Sequence, residues 1–278
     1  MKWLKEHPDL VQGILTLANE PFYKEMPYRN RSDGGPSWQH RIIWDAPLWK
    51  GRVACGANRI GKSRLGAFET SLIVTGKHPR YKTPATGIAW VVGPDSKLLE
   101  AIEKPYFDMF MPSRWLKEGK WNGKHQYWVF KSEGREWQVW FKSCDSGRQK
   151  FQGDKIDYAW VDEEPLRAGI FSELEMRLVD NRGIWLMTAT PVEGTKWLKD
   201  TLDRTDVGYT MAGMRQNPYI ALDEINKIAK QLPPDERDVR IEGKYIIFGG
   251  RPVFDREYLA DLEVRASSFE DGVLELVI

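Results

Sequence analysis

One octapeptide constrains this chain more than any other stretch. Gly56-Ala57-Asn58-Arg59-Ile60-Gly61-Lys62-Ser63 fits G-x-x-x-x-G-K-[ST], the spacing of a phosphate-binding loop. Its glycines let the backbone fold tightly enough to turn a row of N–H donors towards phosphate oxygens. Lys62 is expected to reach the β- and γ-phosphates, and the Ser63 hydroxyl to hold Mg²⁺. The flanks agree. Residues 52–55 read as a short buried strand, and residues 63–74 as a helix closed by Gly76. That order sets a helix N-terminus, with its partial positive charge, against the phosphates. Gly56, Ala57, Asn58, Arg59, Ile60, Gly61, Lys62 and Ser63 are therefore expected to bind a nucleoside triphosphate.

A chain of 278 residues can bury a sizeable core, and 41% hydrophobic with 29% charged residues is globular usage. No run approaches the 18 apolar residues of a membrane span, and the start lacks the apolar stretch of a signal peptide. Two cysteines, Cys55 and Cys144, make neither a disulfide framework nor a metal site, which fits a reducing cytoplasm. With 41 basic and 40 acidic residues, net charge is +1, so nucleic acid must be met by a local patch. Most of the thirteen tryptophans sit among apolar neighbours and read as core.

Along the chain, residues 1–36 read as an amphipathic helix (Leu4, Leu10, Val11, Ile14, Leu15, Leu17) followed by a polar loop at 29–36. Gln39 lies seventeen residues before the phosphate loop, and its amide can pair with an adenine edge. Residues 87–94 form an apolar run ended by Gly-Pro, typical of a strand buried on both faces, and 96–109 read as a helix. Alternation over 124–142, around Glu133-Gly134-Arg135, predicts a β-hairpin or two antiparallel strands.

A second run organises the site. Residues 156–165 end an apolar strand in Asp162-Glu163-Glu164, the Walker B arrangement, 100 residues beyond Lys62. Asp162 would hold Mg²⁺ and Glu163 would polarise an attacking water, with Glu164 able to exchange roles with Glu163. Residues 183–191 give another buried strand ending in Thr188 and Thr190, candidates for sensing the γ-phosphate and reporting it onward. Beyond 212 the parallel-strand rhythm stops. Helices at 222–231 and after Pro233-Pro234 make 213–250 a small helical lid on a core at 37–212. Residues 251–278 read as a linker or the start of a further domain.

Together these pieces resemble the large subunit of tailed-bacteriophage terminases, the motors that package DNA into proheads. The resemblance is carried by Gln39, the loop at 56–63 with Arg59 inside it, Ser146-Gly147-Arg148-Gln149-Lys150-Phe151-Gln152-Gly153, the run 156–165, Thr188-Ala189-Thr190-Pro191, Gln216-Asn217-Pro218-Tyr219 and Arg240-Ile241-Glu242-Gly243. It implies an α/β fold: a RecA-like, additional-strand P-loop NTPase with a mainly parallel central sheet and a lid. It implies hydrolysis of ATP with Mg²⁺, and translocation of double-stranded DNA. Implied partners are a portal protein, a small terminase subunit and copies of the chain itself in a five-membered ring, with a monomer expected in isolation and no membrane. The place of action would be the host cytoplasm, transiently on the prohead portal. The resemblance also implies a basic residue acting in a neighbour's site; Arg148 matches best, with Lys150 and Arg135 nearby and Arg59 the alternative in cis. A nuclease usually follows in this family, but only Asp255, Glu257, Asp261 and Glu263 come after the lid, so no DNA cleavage is expected. A helicase-like remodelling ATPase and a nucleotide-gated docking module without turnover are the competing readings.

Overall fold

The computed structural model describes residues 20–22, 38–45, 47–165, 168–192 and 195–244. The expected N-terminal helix, the loop at 29–36 and the tail at 251–278, with its four acids, lie outside the described residues.

The strands are β1 (Gly51–Gly56), β2 (Thr86–Gly93), β3 (Lys120–Asn122), β4 (Tyr127–Ser132), β5 (Arg135–Ser143), β6 (Tyr158–Asp162), β7 (Ile184–Ala189) and β8 (Val207–Ala212). They form one sheet in the order β3-β4-β5-β2-β6-β7-β1-β8. From β5 to β8 every pairing is parallel, and β3 and β4 add an antiparallel edge. Strands β1 and β6 are buried along their whole length, because both faces of the sheet are covered. Ala54, Val91 and Leu186 join the core on one face; Val53, Cys55, Trp90 and Met187 join the core on the other. The first core takes Leu65, Phe68 and Leu72 of the helix Lys62–Thr75, and the second takes Phe171, Leu174 and Leu178 of the helix Ala168–Val179.

Strand β7 lies between β1, which leads into the phosphate loop, and β6, which ends at Asp162. That insertion is the additional strand. Its Thr188 stands level with Ala54 on one side and Asp162 on the other, so three strand exits meet at one end of the sheet.

The loop helix is held close. A Cβ on Gly66 would come within 2.1 Å of the Trp160 ring, so only glycine lets the helix lie this near β6. A buried ion pair fixes it further: Arg52 of β1 donates to Glu69 at 2.9 and 2.5 Å, and the Tyr158 hydroxyl donates to Glu69 at 3.3 Å. Removing one partner of such a pair would strand the other charge in the core.

The hairpin turns at Glu133-Gly134, both with positive φ, as a two-residue turn between twisted strands requires. The hairpin is built into the main sheet: β5 also pairs in parallel with β2, from Thr86↔Glu136 to Gly93↔Ser143. Its alternation announces one apolar face, but nothing in alternation says that both backbone edges are paired. Past β8, the helices Leu222–Gln231 and Pro234–Arg240 return to the phosphate loop, where Asn58 N–H donates to the Arg240 carbonyl at 3.1 Å. Among the described residues no helix is long and apolar enough to cross a membrane.

Candidate active site

The site is built where β1, β6 and β7 end. Gly61 caps the loop helix at φ 87°, a left-handed geometry that turns the chain into the first helical N–H groups. Its carbonyl accepts from Leu65 N–H and from the Gln39 side-chain amide, each at 3.1 Å. Gln39 therefore braces the loop with its amide nitrogen. Arg59 is exposed and left-handed at φ 59°, and its carbonyl accepts from the Asn217 amide at 2.5 Å.

Lys62 is buried and points across the loop. Its Nζ donates to the Ala57 carbonyl at 3.0 Å and to Thr190 Oγ1 at 2.6 Å. The Thr190 hydroxyl donates in turn to Asn58 Oδ1 at 3.0 Å. Burial lowers the Lys62 pKa, against the pull of Glu163 and Asp162.

The three consecutive carboxylates at the end of β6 are given different surroundings. Asp162 accepts from Thr188 Oγ1 at 2.5 Å, and Trp160 Nε1 holds that hydroxyl at 2.7 Å. Burial raises the Asp162 pKa, while Thr188, Ser63 and Lys62 stabilise its charged form. Glu163 adopts φ 63°, rare for a residue with a side chain. This kink sends its N–H to the Thr188 carbonyl at 2.7 Å and lets its Oε2 accept from Thr190 N–H at 2.8 Å. Burial pushes the Glu163 carboxyl above its ordinary range. Glu164 instead accepts from the Thr195 hydroxyl. Adjacent acids thus end in separate places: Asp162 by Ser63, Glu163 by Lys62 and Thr190, Glu164 on the loop after β7.

The donor set suits Mg²⁺. The Ser63 hydroxyl and the Asp162 carboxylate share a hydrogen bond, and the buried Glu103 Oε2 beside them lacks any hydrogen-bond partner. All are hard oxygens, and Mg²⁺ at nucleotide sites takes one or two carboxylates together with phosphates and water. Among the described residues no three His, Cys, Asp or Glu side chains gather into a self-contained metal centre.

Arg148 stands apart from this cluster. It opens the short 3₁₀ turn Arg148–Phe151, is 63% exposed, and pairs with Glu173 at 3.1 Å. Glu173 also holds Arg177 at 3.0 Å. Nearby, Lys150 is exposed, while Arg135 donates to the carbonyls of Val74 and Thr83 and belongs to the hairpin's packing.

Sequence reasoning missed Glu103, Asn217 as a tie to Arg59, and Glu173 as partner of Arg148. Glu103 did leave a signal. Leu99, Glu103, Phe107 and Phe110 recur at helical spacing, which puts an acid in a row of core positions.

The profile of the family described as terminase large subunit, T4likevirus-type, N-terminal, matches residues 53–206, more than half of the chain. The chain belongs to the terminase large-subunit family. No curated protein matches it in sequence. Solved terminases share its fold. The large terminase of the thermophilic bacteriophage D6E superposes with a TM-score of 0.63 at 14% identity, over 79% of this chain and 56% of that one. The large terminase ATPase domain of Thermus phage P74-26 gives 0.63 at 16% identity, over 82% and 98%. The HK97 bacteriophage large terminase gives 0.56 at 12%, over 78% and 51%. This terminase chain thus spans about half the length of the D6E and HK97 proteins and nearly all of the P74-26 ATPase domain. The D6E protein has also been solved with ADP and with ATP-γ-S.

Proposed function

We propose that this terminase chain is an ATP-hydrolysing motor that drives double-stranded viral DNA into a prohead. The observation that carries the reading is the gathering of Lys62, Ser63, Asp162, Glu163, Thr188 and Thr190 at three adjacent strand exits. Nucleotide binding by the D6E relative supports the choice of ligand.

The mechanism follows from the side chains. Loop N–H groups and Lys62 hold the phosphates of ATP, so the Lys62 ammonium turns from the Ala57 carbonyl and Thr190 towards them. Ser63 and Asp162 would hold Mg²⁺, which when bound offsets charge on the β- and γ-phosphates. Glu163 orients a water for attack on the γ-phosphorus and takes its proton; its raised pKa suits a base working near neutral pH. Thr190 touches the loop lysine, Asn58 and the base at once, so the state of the γ-phosphate changes the exit of β7. Gln39 contributes to adenine recognition while bracing Gly61. Arg148 leaves Glu173 to enter the neighbouring subunit's site in a ring of five, where it meets charge that develops only in the transition state. Residues 37–212 are the motor core and 213–250 its lid. The partners are the portal protein, the small terminase subunit and DNA, met in the host cytoplasm and on the prohead portal.

Phosphate release by the chain, measured with and without double-stranded DNA and portal protein, tests this. Turnover should rise with both. Turnover driven by single-stranded DNA alone would favour a helicase-like remodeller, and nucleotide binding with no release in any mixture would favour a docking module.

A further inference from the structure

Glu103 lies outside every motif that led to the site, yet its carboxyl reaches Asp162. It ends the π-helical stretch Leu99–Glu103 in the helix after β2, and such stretches recur at functional sites. The side chain is 1% exposed, and Oε2 finds no hydrogen-bond donor. A Cβ on Gly93 would sit 2.9 Å from the Leu99 side chain and 3.0 Å from Glu103 Oε1, so the bare glycine at the exit of β2 lets both side chains pack against it. Glu103 and Asp162 come within hydrogen-bonding reach of one another.

Two carboxylates buried against one another need something positive between them, either a proton or a cation. Lys62 attracts Asp162 electrostatically, but its ammonium hydrogen-bonds to Ala57 and Thr190 and is required at the phosphates when nucleotide binds. Asp162, the other member of the pair, also hydrogen-bonds to the Ser63 hydroxyl at the mouth of the phosphate loop. We propose that Glu103 is a third protein group holding the divalent cation of the nucleotide site, alongside Ser63 and Asp162. The inference rests on the reading of Ser63 and Asp162 as the Mg²⁺ site. It adds one carboxylate from the helix after β2, so cation binding also anchors that helix to the end of β6.

Electron paramagnetic resonance of Mn²⁺ with the ADP-bound chain tests this without turnover. Glu103→Gln keeps shape and removes charge. If Glu103 holds the cation, Mn²⁺ affinity falls roughly 10–100-fold, as for lost supporting carboxylates at other metal sites, while ADP affinity in EDTA stays at the wild-type level. Glu103→Asp, which keeps the charge, should retain more affinity than Glu103→Gln, and serves if the glutamine variant does not fold. Wild-type Mn²⁺ affinity in Glu103→Gln overturns the proposal, because glutamine donates to Asp162 as a protonated Glu103 would, and a proton then joins the pair. Asp162→Asn separates the two levels. If it weakens Mn²⁺ and Glu103→Gln does not, only the role of Glu103 falls. If neither weakens it, the Mg²⁺ reading of Ser63 and Asp162 falls too.

Discussion

Lys62 Nζ donates to Thr190 Oγ1 at 2.6 Å, joining two residues 128 positions apart in the chain. The loop lysine and the threonine beyond β7 are therefore one unit before any phosphate arrives. Because the Thr190 N–H also holds Glu163, moving the lysine changes the surroundings of that carboxylate.

Thr190→Val keeps the shape and removes the hydroxyl. Lys62 then loses a competing acceptor, so ADP affinity should hold or rise, whereas turnover should fall about tenfold or more as Lys62 loses the hydroxyl that ties it to the exit of β7, the Thr190 N–H still holding Glu163. A hydrogen bond to a charged group is worth about 1.5–3 kcal/mol, enough for that change. Calorimetric titration beside phosphate release decides it. An affinity loss as deep as that of Lys62→Ala would mean that Thr190 serves binding itself.

Glu163→Gln should bind ATP normally and hydrolyse it at least 10²-fold more slowly, since an amide cannot take the proton of water. The pH profile carries the sign. Burial raises the Glu163 pKa, and the base must be ionised, so kcat should climb with pH through that raised value and be lost below it. An acid limb that disappears in Glu164→Gln instead would transfer the role to Glu164.

Arg148→Ala should leave nucleotide affinity unchanged and abolish the rise in specific activity that accompanies assembly. A finger of this kind contributes roughly 10³–10⁵ in turnover. Mixing it with Lys62→Ala should restore part of the activity, because some interfaces then pair an intact loop with an intact Arg148. Glu173→Gln should lower the concentration needed for activation, since Arg148 no longer leaves an ion pair to reach its neighbour. A mixture that assembles and stays inactive assigns the cation to Arg59.

His78 makes stability depend on pH. Its Nδ1 accepts from the N–H groups of Arg80 and Tyr81 at 3.1 and 3.2 Å. Burial, with Arg52 and Arg80 nearby, pushes its pKa from 6.5 down to about 2. Below pH 6.5 the unfolded chain binds a proton that the native one refuses, so stability falls as pH drops towards 2. Between pH 7 and 5.5 the wild type should lose about 1 kcal/mol more than His78→Asn, whose Oδ1 can accept the same N–H groups. Urea midpoints at both pH values measure it, and equal losses would reject the assignment.

The sequence by itself determined the pieces whose chemistry is local. The loop at 56–63 is legible because glycine spacing and a lysine before a helix are local requirements of phosphate binding. The exits of β6 and β7 are legible because apolar runs end in Asp162-Glu163 and in Thr188-Ala189-Thr190. Only the tertiary structure decided which of these touch. The insertion of β7 between β1 and β6 sets Thr188 level with Asp162, and strand order is a matter of long-range pairing that no local pattern encodes. The left-handed turn at Glu163 likewise separates two adjacent acids, which alternation along a strand could not specify. Glu103 and Glu173 escaped notice for the same physical reason. An acid in a helix looks like a solvated surface residue until packing brings another charge against it, and that neighbour comes from a distant part of the chain.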